Sequence, residues 1–219
     1  MNQVDGIEVD EYEVWHGIFE KIENLVCVDL SISAGMVSII EACEPYFPHD
    51  DWEKLRLLDY ENTAGIERWL RELFQRDPLP SETRGLWFGL FNPFNDHHEL
   101  TADLYVVGSP VFWEDDAYCQ WACDPNYLPV GRYARSTVLD AIYRIGYDRE
   151  GGLRDRVEYP LCLAYGALTV KHFFSHAKPH RILGEAQEVV VAVGFDEGDC
   201  LVLGKLTHDG FIVPHKETR

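Results

Sequence analysis

The strongest pattern in the chain is a pair of apolar segments, 86–91 and 102–107, separated by the polar stretch 92–101. Successive side chains of a β-strand point to opposite faces, so Trp87 and Phe88 lie on different faces of the first segment. Both faces are apolar, whereas a strand with one wet face would alternate apolar and polar residues. The pattern therefore predicts a β-hairpin at the centre of a sheet that is covered on both sides.

A second pair of apolar segments, 188–195 and 200–206, lies near the end of the chain. The four residues between them, Asp-Glu-Gly-Asp, have the composition of a tight turn, which predicts a second hairpin. The two hairpins, at about 86–107 and 188–206, predict one mostly antiparallel sheet with helices packed on it. The expected fold class is therefore α+β.

Helical periodicity dominates the first third of the chain. Apolar residues at three- and four-residue steps predict helices over 9–26 and 62–76. A further helix over 33–43 is predicted, with a strand over 25–32 as the alternative, because β-branched residues occur there. Two prolines within 44–51 predict a loop.

Two more helices are predicted in the second half of the chain. Ser136 is a suitable N-cap for a helix that reaches residue 145 and stops at Gly146. A buried helix is expected over 159–176, with Pro160 in its first turn. The stretch before them, 108–135, is irregular, and long loops of this kind are often functional.

The domain organisation predicted is a single globular domain over 1–219. Residues 1–80 form a mainly helical acidic segment, and 81–219 supply the sheet and two helices. The prolines near residues 77–81 mark a connector inside the domain, because the apolar faces on either side of it each need a partner.

Charge is the extreme feature of the composition, with 38 acidic against 19 basic residues and a formal net charge of -19. Phosphate backbones are bound by Lys and Arg, and the four arginines between 144 and 156 stand among acids, so direct nucleic-acid binding is not expected. A field of one sign favours solubility and attracts partners of the opposite sign. A basic protein partner is therefore the expected partner class.

The first residues, the apolar runs and the cysteines allow a prediction of the protein's cellular location. Residues 1–11 lack the basic and apolar regions of a secretory signal, and the longest apolar run, 161–170, is half a membrane span. We therefore expect no membrane association and a cytoplasmic location. The six cysteines are expected to be reduced, because a chain of this size folds without disulfides, although their even number leaves pairing open.

The segment 111–133 is the candidate binding surface, because aromatic residues alternate there with carboxylates. Trp and Tyr dominate binding hot spots, and acids would select a basic partner. In the alternative interpretation the aromatic side chains fold inward and cover the sheet. The candidate partner-binding residues are Trp113, Glu114, Asp115, Asp116, Tyr118, Trp121, Asp124 and Tyr127.

His172 and His176 stand four residues apart, so a continuous helix would place both on one face, where they could share a zinc ion. In the alternative interpretation they are ordinary polar residues at a helix end, where positive charge suits the dipole.

Two other clusters have weaker patterns. Cys119 and Cys123 lack the second pair that a zinc ribbon requires, so buried thiols are the expectation. The hairpin tip 92–99 gathers His97, His98, amides and acids, which could bind a cation, act in acid–base chemistry or form a solvated turn.

The leading functional hypothesis is a non-enzymatic acidic interaction module that binds a basic protein and, in its inhibitor-like form, blocks it. No cofactor is expected for this role. In composition, though not in motif, the chain is similar to small acidic inhibitors and toxin-immunity proteins. The alternative is a metal-dependent hydrolase that uses His172 and His176 with zinc, and a third possibility is acidic mimicry of a nucleic-acid backbone. The chain has no nucleophile elbow, phosphate loop or dinucleotide fingerprint.

Overall fold

A computed structural model describes residues 2–4, 7–94, 100–116, 118–196 and 199–214, with side chains from residue 10 onward. The helices are α1 (Glu11–Val26), α2 (Ile32–Cys43), α3 (Asp51–Arg56), α4 (Ala64–Arg76), α5 (Thr137–Tyr147), α6 (Asp155–Val157) and α7 (Leu163–His176). The strands are β1 (Asn2–Val4), β2 (Ile7–Val9), β3 (Gly85–Phe91), β4 (Asp103–Ser109), β5 (Tyr133–Arg135), β6 (Glu188–Phe195), β7 (Cys200–Thr207) and β8 (Gly210–Ile212). No helix within these ranges is long and apolar enough to cross a membrane.

Side-chain caps determine where the first two helices begin. The carboxylate of Asp10 accepts a hydrogen bond from the backbone N–H of Tyr12 at the start of α1. The hydroxyl of Ser31 likewise accepts from the N–H of Ala34 at the start of α2. Both predicted helices are confirmed, and the alternative strand over 25–32 is wrong because α1 continues to Val26 and α2 begins at Ile32.

The later helices differ from the predictions at their ends. α4 agrees with the prediction for 62–76. α5 starts after Ser136 as expected but runs through Gly146 to Tyr147. The helix predicted over 159–176 starts earlier and is not regular: α6 is followed directly by a π-helical turn, Glu158–Cys162, and α7 begins at Leu163. Pro160 lies inside that turn and cannot donate a backbone hydrogen bond, so regular α-helical pairing is interrupted there.

Six strands form the main sheet, in the order β5-β4-β3-β6-β7-β8. β3 pairs with β4, and β6 with β7, as antiparallel hairpins. The α+β fold class is therefore confirmed. The two-hairpin description is incomplete, because the hairpins join through the parallel pair β3–β6 and the short strands β5 and β8 extend the edges. A parallel pair needs a long crossover, and the chain between β4 and β6 carries α5 and α7.

The two apolar faces of β3 are covered by different parts of the chain. On the inner face, Phe88 is fully buried and its ring centroid lies 5.9 Å from that of Phe174 in α7. This face belongs to a core that draws residues from α1 through β7. On the outer face, Trp87 packs in a smaller cluster with Trp121, which comes from the loop after β4.

Glycines in β3 let aromatic rings lie directly on the outer face of the sheet. The indole of Trp121 lies against Gly85, and the ring of Tyr105 lies against Gly89. A Cβ atom at either glycine would collide with the ring above it. The absence of a side chain is thus what allows these rings to approach the strand backbone.

We predict that Gly85→Ala destabilises the protein by about 1–3 kcal/mol, because the added methyl group must displace the buried Trp121. Urea unfolding followed by circular dichroism measures the change. Gly17→Ala is the matched control, since Gly17 lies within α1 and a methyl group added there would meet no heavy atom within 4 Å. This control is expected to stabilise the protein by about 0.5–1 kcal/mol. Equal effects of the two substitutions would contradict the packing of Trp121 on β3.

Candidate partner-binding site

The acidic segment, residues 112–116 and 118–124, lies over the outer face of the sheet and is anchored there by its inward side chains. Trp121 is buried beside Trp87 and Val107. The ring of Phe112 meets the Trp121 ring edge-on, with centroids 5.5 Å apart. Buried aromatic contacts of this kind hold the segment in a defined position on the sheet.

A disulfide between Cys119 and Cys200 joins the acidic segment to β7, with Cα atoms 5.6 Å apart. The expectation of six reduced cysteines is therefore wrong. Cys119 and Cys123 do not act as a pair, and Cys27, Cys43, Cys123 and Cys162 carry free thiols. The two linked residues are separated by 81 positions, so no local pattern in the sequence could identify them as partners.

Asp116 shapes the turn of the acidic segment. Its carboxylate accepts hydrogen bonds from the backbone N–H groups of Tyr118, at 3.2 Å, and Trp121, at 3.1 Å. Cys119 follows in the left-handed region, with φ of 46°, a conformation that is uncommon for residues other than glycine. The carboxylate of Asp116 thus stabilises a turn that the backbone alone would not favour.

Five of the eight candidate residues lie on the surface of this segment. Trp113 is 53% exposed and Tyr118 is 76% exposed. Glu114, Asp115 and Asp124 are exposed as well, and none of the three forms an ion pair with the part of the chain that the structure describes. Two large exposed aromatic side chains and three exposed carboxylates thus lie within the same segment.

The other three candidates serve the fold of the segment. Trp121 and Tyr127 are 1% and 4% exposed. The Tyr127 hydroxyl donates to the backbone carbonyl of Asp77 at 2.6 Å, and burial raises the pKa of this hydroxyl. The inward-folding interpretation therefore describes Trp121 and Tyr127, while Asp116 is engaged in the turn.

A groove of about 880 Å³ runs beside the acidic segment, between Phe112 and the outer face of β6 and β7. Val190 and Val202 contribute apolar surface from these strands. Its charged lining residues are the acids Glu23, Glu114, Asp116 and Glu188 and the bases Arg84 and Lys205. Four acids against two bases give the groove an excess of negative charge, and one of the bases, Lys205, is paired with Glu188 at 3.1 Å.

The sequence interpretation missed the strand residues of this groove. Glu188 and Val190 stand two positions apart in β6, so they lie on the same face of the strand. That alternation was readable from the sequence. What it does not show is that the distant acidic segment covers this face, because the segment lacks a regular period.

His172 and His176 lie together at the end of α7, with ring centroids 4.3 Å apart. The Nδ1 atom of His176 is 2.8 Å from the carbonyl oxygen of His172. The carboxylate of Glu67 lies 3.8 Å from His172 Nε2 but already accepts from Thr63 and Arg71. Catalytic zinc sites commonly use three protein ligands, and the described residues contain no group of three or more His, Cys, Asp or Glu side chains suited to a metal.

The polar tip of the first hairpin was another candidate. Residues 95–99 of that tip lie outside the described residues, and Asn92 donates its side-chain amide to the carbonyl of Thr101 at 3.0 Å.

Comparisons of the chain with protein-family models, with curated proteins and with solved structures find no match. The residues of the site are therefore assigned from the geometry of this chain.

We predict that alkylation of the denatured, unreduced protein labels four cysteines and that prior reduction raises the number to six. Intact-mass spectrometry counts the labels. The double variant Cys119→Ser, Cys200→Ser is expected to lose about 2–4 kcal/mol of stability in urea unfolding, because the linked loop is long. The variant Cys123→Ser is the control and is expected to keep wild-type stability within about 0.5 kcal/mol, since Cys123 is exposed and unpaired. Six labels without reduction would contradict the disulfide.

Proposed function

We propose that this chain is a non-enzymatic interaction protein that binds a basic protein partner through the acidic segment and the groove beside it. The observation that carries the proposal is the exposure of Trp113 and Tyr118 among the carboxylates of Glu114, Asp115 and Asp124. Large aromatic side chains supply much of the energy at protein interfaces, and neighbouring charges select the partner.

The anchoring of the segment supports the same proposal. Trp121, the turn at Asp116 and the disulfide at Cys119 hold the backbone of the segment before any partner arrives. Binding to a prearranged surface costs less conformational entropy than binding to a loop that must first become ordered. The exposed Trp113 and Tyr118 can therefore contribute more of their burial energy to affinity.

The charge of the whole chain supports a basic partner. A formal net charge of -19 attracts positively charged proteins over distances comparable to the Debye length and raises their association rate. The groove beside the segment adds a local preference for positively charged groups, because its lining has four carboxylates against two basic side chains. In the inhibitor-like form of the proposal, the segment and groove cover the functional surface of the basic partner and block it.

The test begins with native mass spectrometry of the tagged protein purified gently from its host, which identifies the companion chain. The purified companion is then titrated against wild-type protein and the triple variant Glu114→Lys, Asp115→Lys, Asp124→Lys. We expect a basic companion, and we expect the triple variant to weaken its binding by about tenfold or more, equivalent to about 1.4 kcal/mol. Asp116 is left unchanged because its carboxylate holds the turn.

The matched control reverses the same number of exposed carboxylates elsewhere, in the variant Glu72→Lys, Glu150→Lys, Glu185→Lys. It changes net charge equally, so it reports long-range attraction alone and is expected to weaken binding by about threefold or less. Trp113→Ala should weaken binding in high salt too, since its contribution is apolar. An acidic companion, or equal losses in the two triple variants, would overturn the assignment of this surface.

A further inference from the structure

A second groove, the basic groove, lies between α4, the end of α7 and residues 178–184 and shares no lining residue with the acidic site. Its volume is about 660 Å³, within the range of pockets that hold small molecules. Its lining includes six basic or imidazole side chains, which are Arg71, His172, His176, Lys178, His180 and Arg181.

The charge of this groove is opposite to that of the chain. Arg71, Lys178 and Arg181 carry three positive charges against the single carboxylate of Glu67, a formal balance of +2 with neutral histidines. The whole chain, by contrast, has a formal net charge of -19. One oxygen of Glu67 accepts from Thr63 and the other from Arg71, so this carboxylate is already satisfied within the protein.

Two of the cations at the groove are available to a ligand. Lys178 and Arg181 are exposed, and neither forms an ion pair with any described residue. Acidic residues outnumber basic ones two to one in this chain, so positive groups that remain unpaired around one concavity are unexpected.

The carboxyl end of α7 offers a simpler explanation for part of this charge. Partial negative charge at a helix end favours nearby cations, which accounts for His176 and Lys178. Arg71 of α4 is accounted for by its ion pair with Glu67. Neither contact accounts for Arg181, which lies beyond α7 and forms no ion pair with the described residues.

The rest of the lining is apolar. Phe74 of α4 and Phe173 of α7 contact each other with ring centroids 6.5 Å apart, and both are largely buried. Ile182 is buried as well, and the more accessible apolar surface of the lining belongs to Pro78 and Ala177. A cavity with an apolar wall and a few convergent polar groups is the usual form of a small-molecule site.

We infer that the basic groove binds a small organic anion, with an apolar body against Pro78, Ala177 and Phe173 and a carboxylate or phosphate group near Lys178 and Arg181. Guanidinium groups bind such anions through paired hydrogen bonds, and the ammonium group of Lys178 adds a point charge. The imidazoles of His172 and His180 can each donate an N–H at the same groove, whereas His176 already directs its Nδ1 to the carbonyl of His172.

Three probes separate the parts of this inference in isothermal titration calorimetry of the full chain. Phenyl phosphate carries both an apolar ring and an anion, inorganic phosphate carries only the anion, and benzyl alcohol has a ring without charge. We expect phenyl phosphate to bind about tenfold or more tightly than either of the other two. Equal affinity for phenyl phosphate and inorganic phosphate would contradict the proposed contact between the groove and an apolar body. If phenyl phosphate shows no saturable binding, the groove is not an anion-binding site and the whole inference is overturned.

Charge-reversal variants then locate the binding. Arg181→Glu and Lys178→Glu should each weaken phenyl phosphate binding by about tenfold or more. Arg68→Glu is the control, because Arg68 is an exposed arginine of α4 outside the groove lining, and it should change affinity by about twofold or less. If the cations serve only the end of α7, the Lys178 variant will lower the melting temperature while affinity stays unchanged, and that result would overturn the inference.

Discussion

The structure depends on the need to cover both apolar faces of β3. A strand with large hydrophobic side chains on both sides is stable only when each side is removed from water. α7 covers the inner face through contacts such as Phe88 with Phe174. The outer face is covered by Trp121, which lies in the short 3-10 helix Gln120–Cys123, and by the disulfide-linked Cys119. An irregular loop thereby becomes part of the hydrophobic core.

This arrangement couples the stability of the sheet to the candidate site. The inward residues of the acidic segment, Phe112 and Trp121, fix its position, and the outward residues Trp113 and Tyr118 stand in solvent between them along the chain. Asp116 contributes both to the groove and to the fold of the segment, because it lines the groove while its carboxylate accepts the backbone hydrogen bonds of the turn. A partner would therefore meet a surface whose geometry is set by packing against the strands.

Charge is distributed unevenly over the chain. Acidic residues predominate in the sequence and at the groove beside the acidic segment, while basic and imidazole side chains gather between α4 and the end of α7. Electrostatic selection acts locally at close range, so two grooves of opposite character can favour different ligands on one molecule. His172 and His176 line the basic groove, and among the described residues no group of three or more His, Cys, Asp or Glu side chains is placed to hold a metal.

The sequence alone determined the elements with a regular period. The three- and four-residue spacing identified α1 and α4, and the two-sided apolar segments identified the strands β3, β4, β6 and β7 and the need to cover them. Residue type also led to the hypothesis that aromatic and acidic side chains between 111 and 133 form a binding surface, which stays a prediction. Only the tertiary structure decided that the hairpins join in parallel, that Trp121 turns inward while Trp113 stays exposed, and that Cys119 meets Cys200. The physical reason is that an irregular loop has no periodicity to assign its faces, and contacts between distant residues are set by packing of the whole chain.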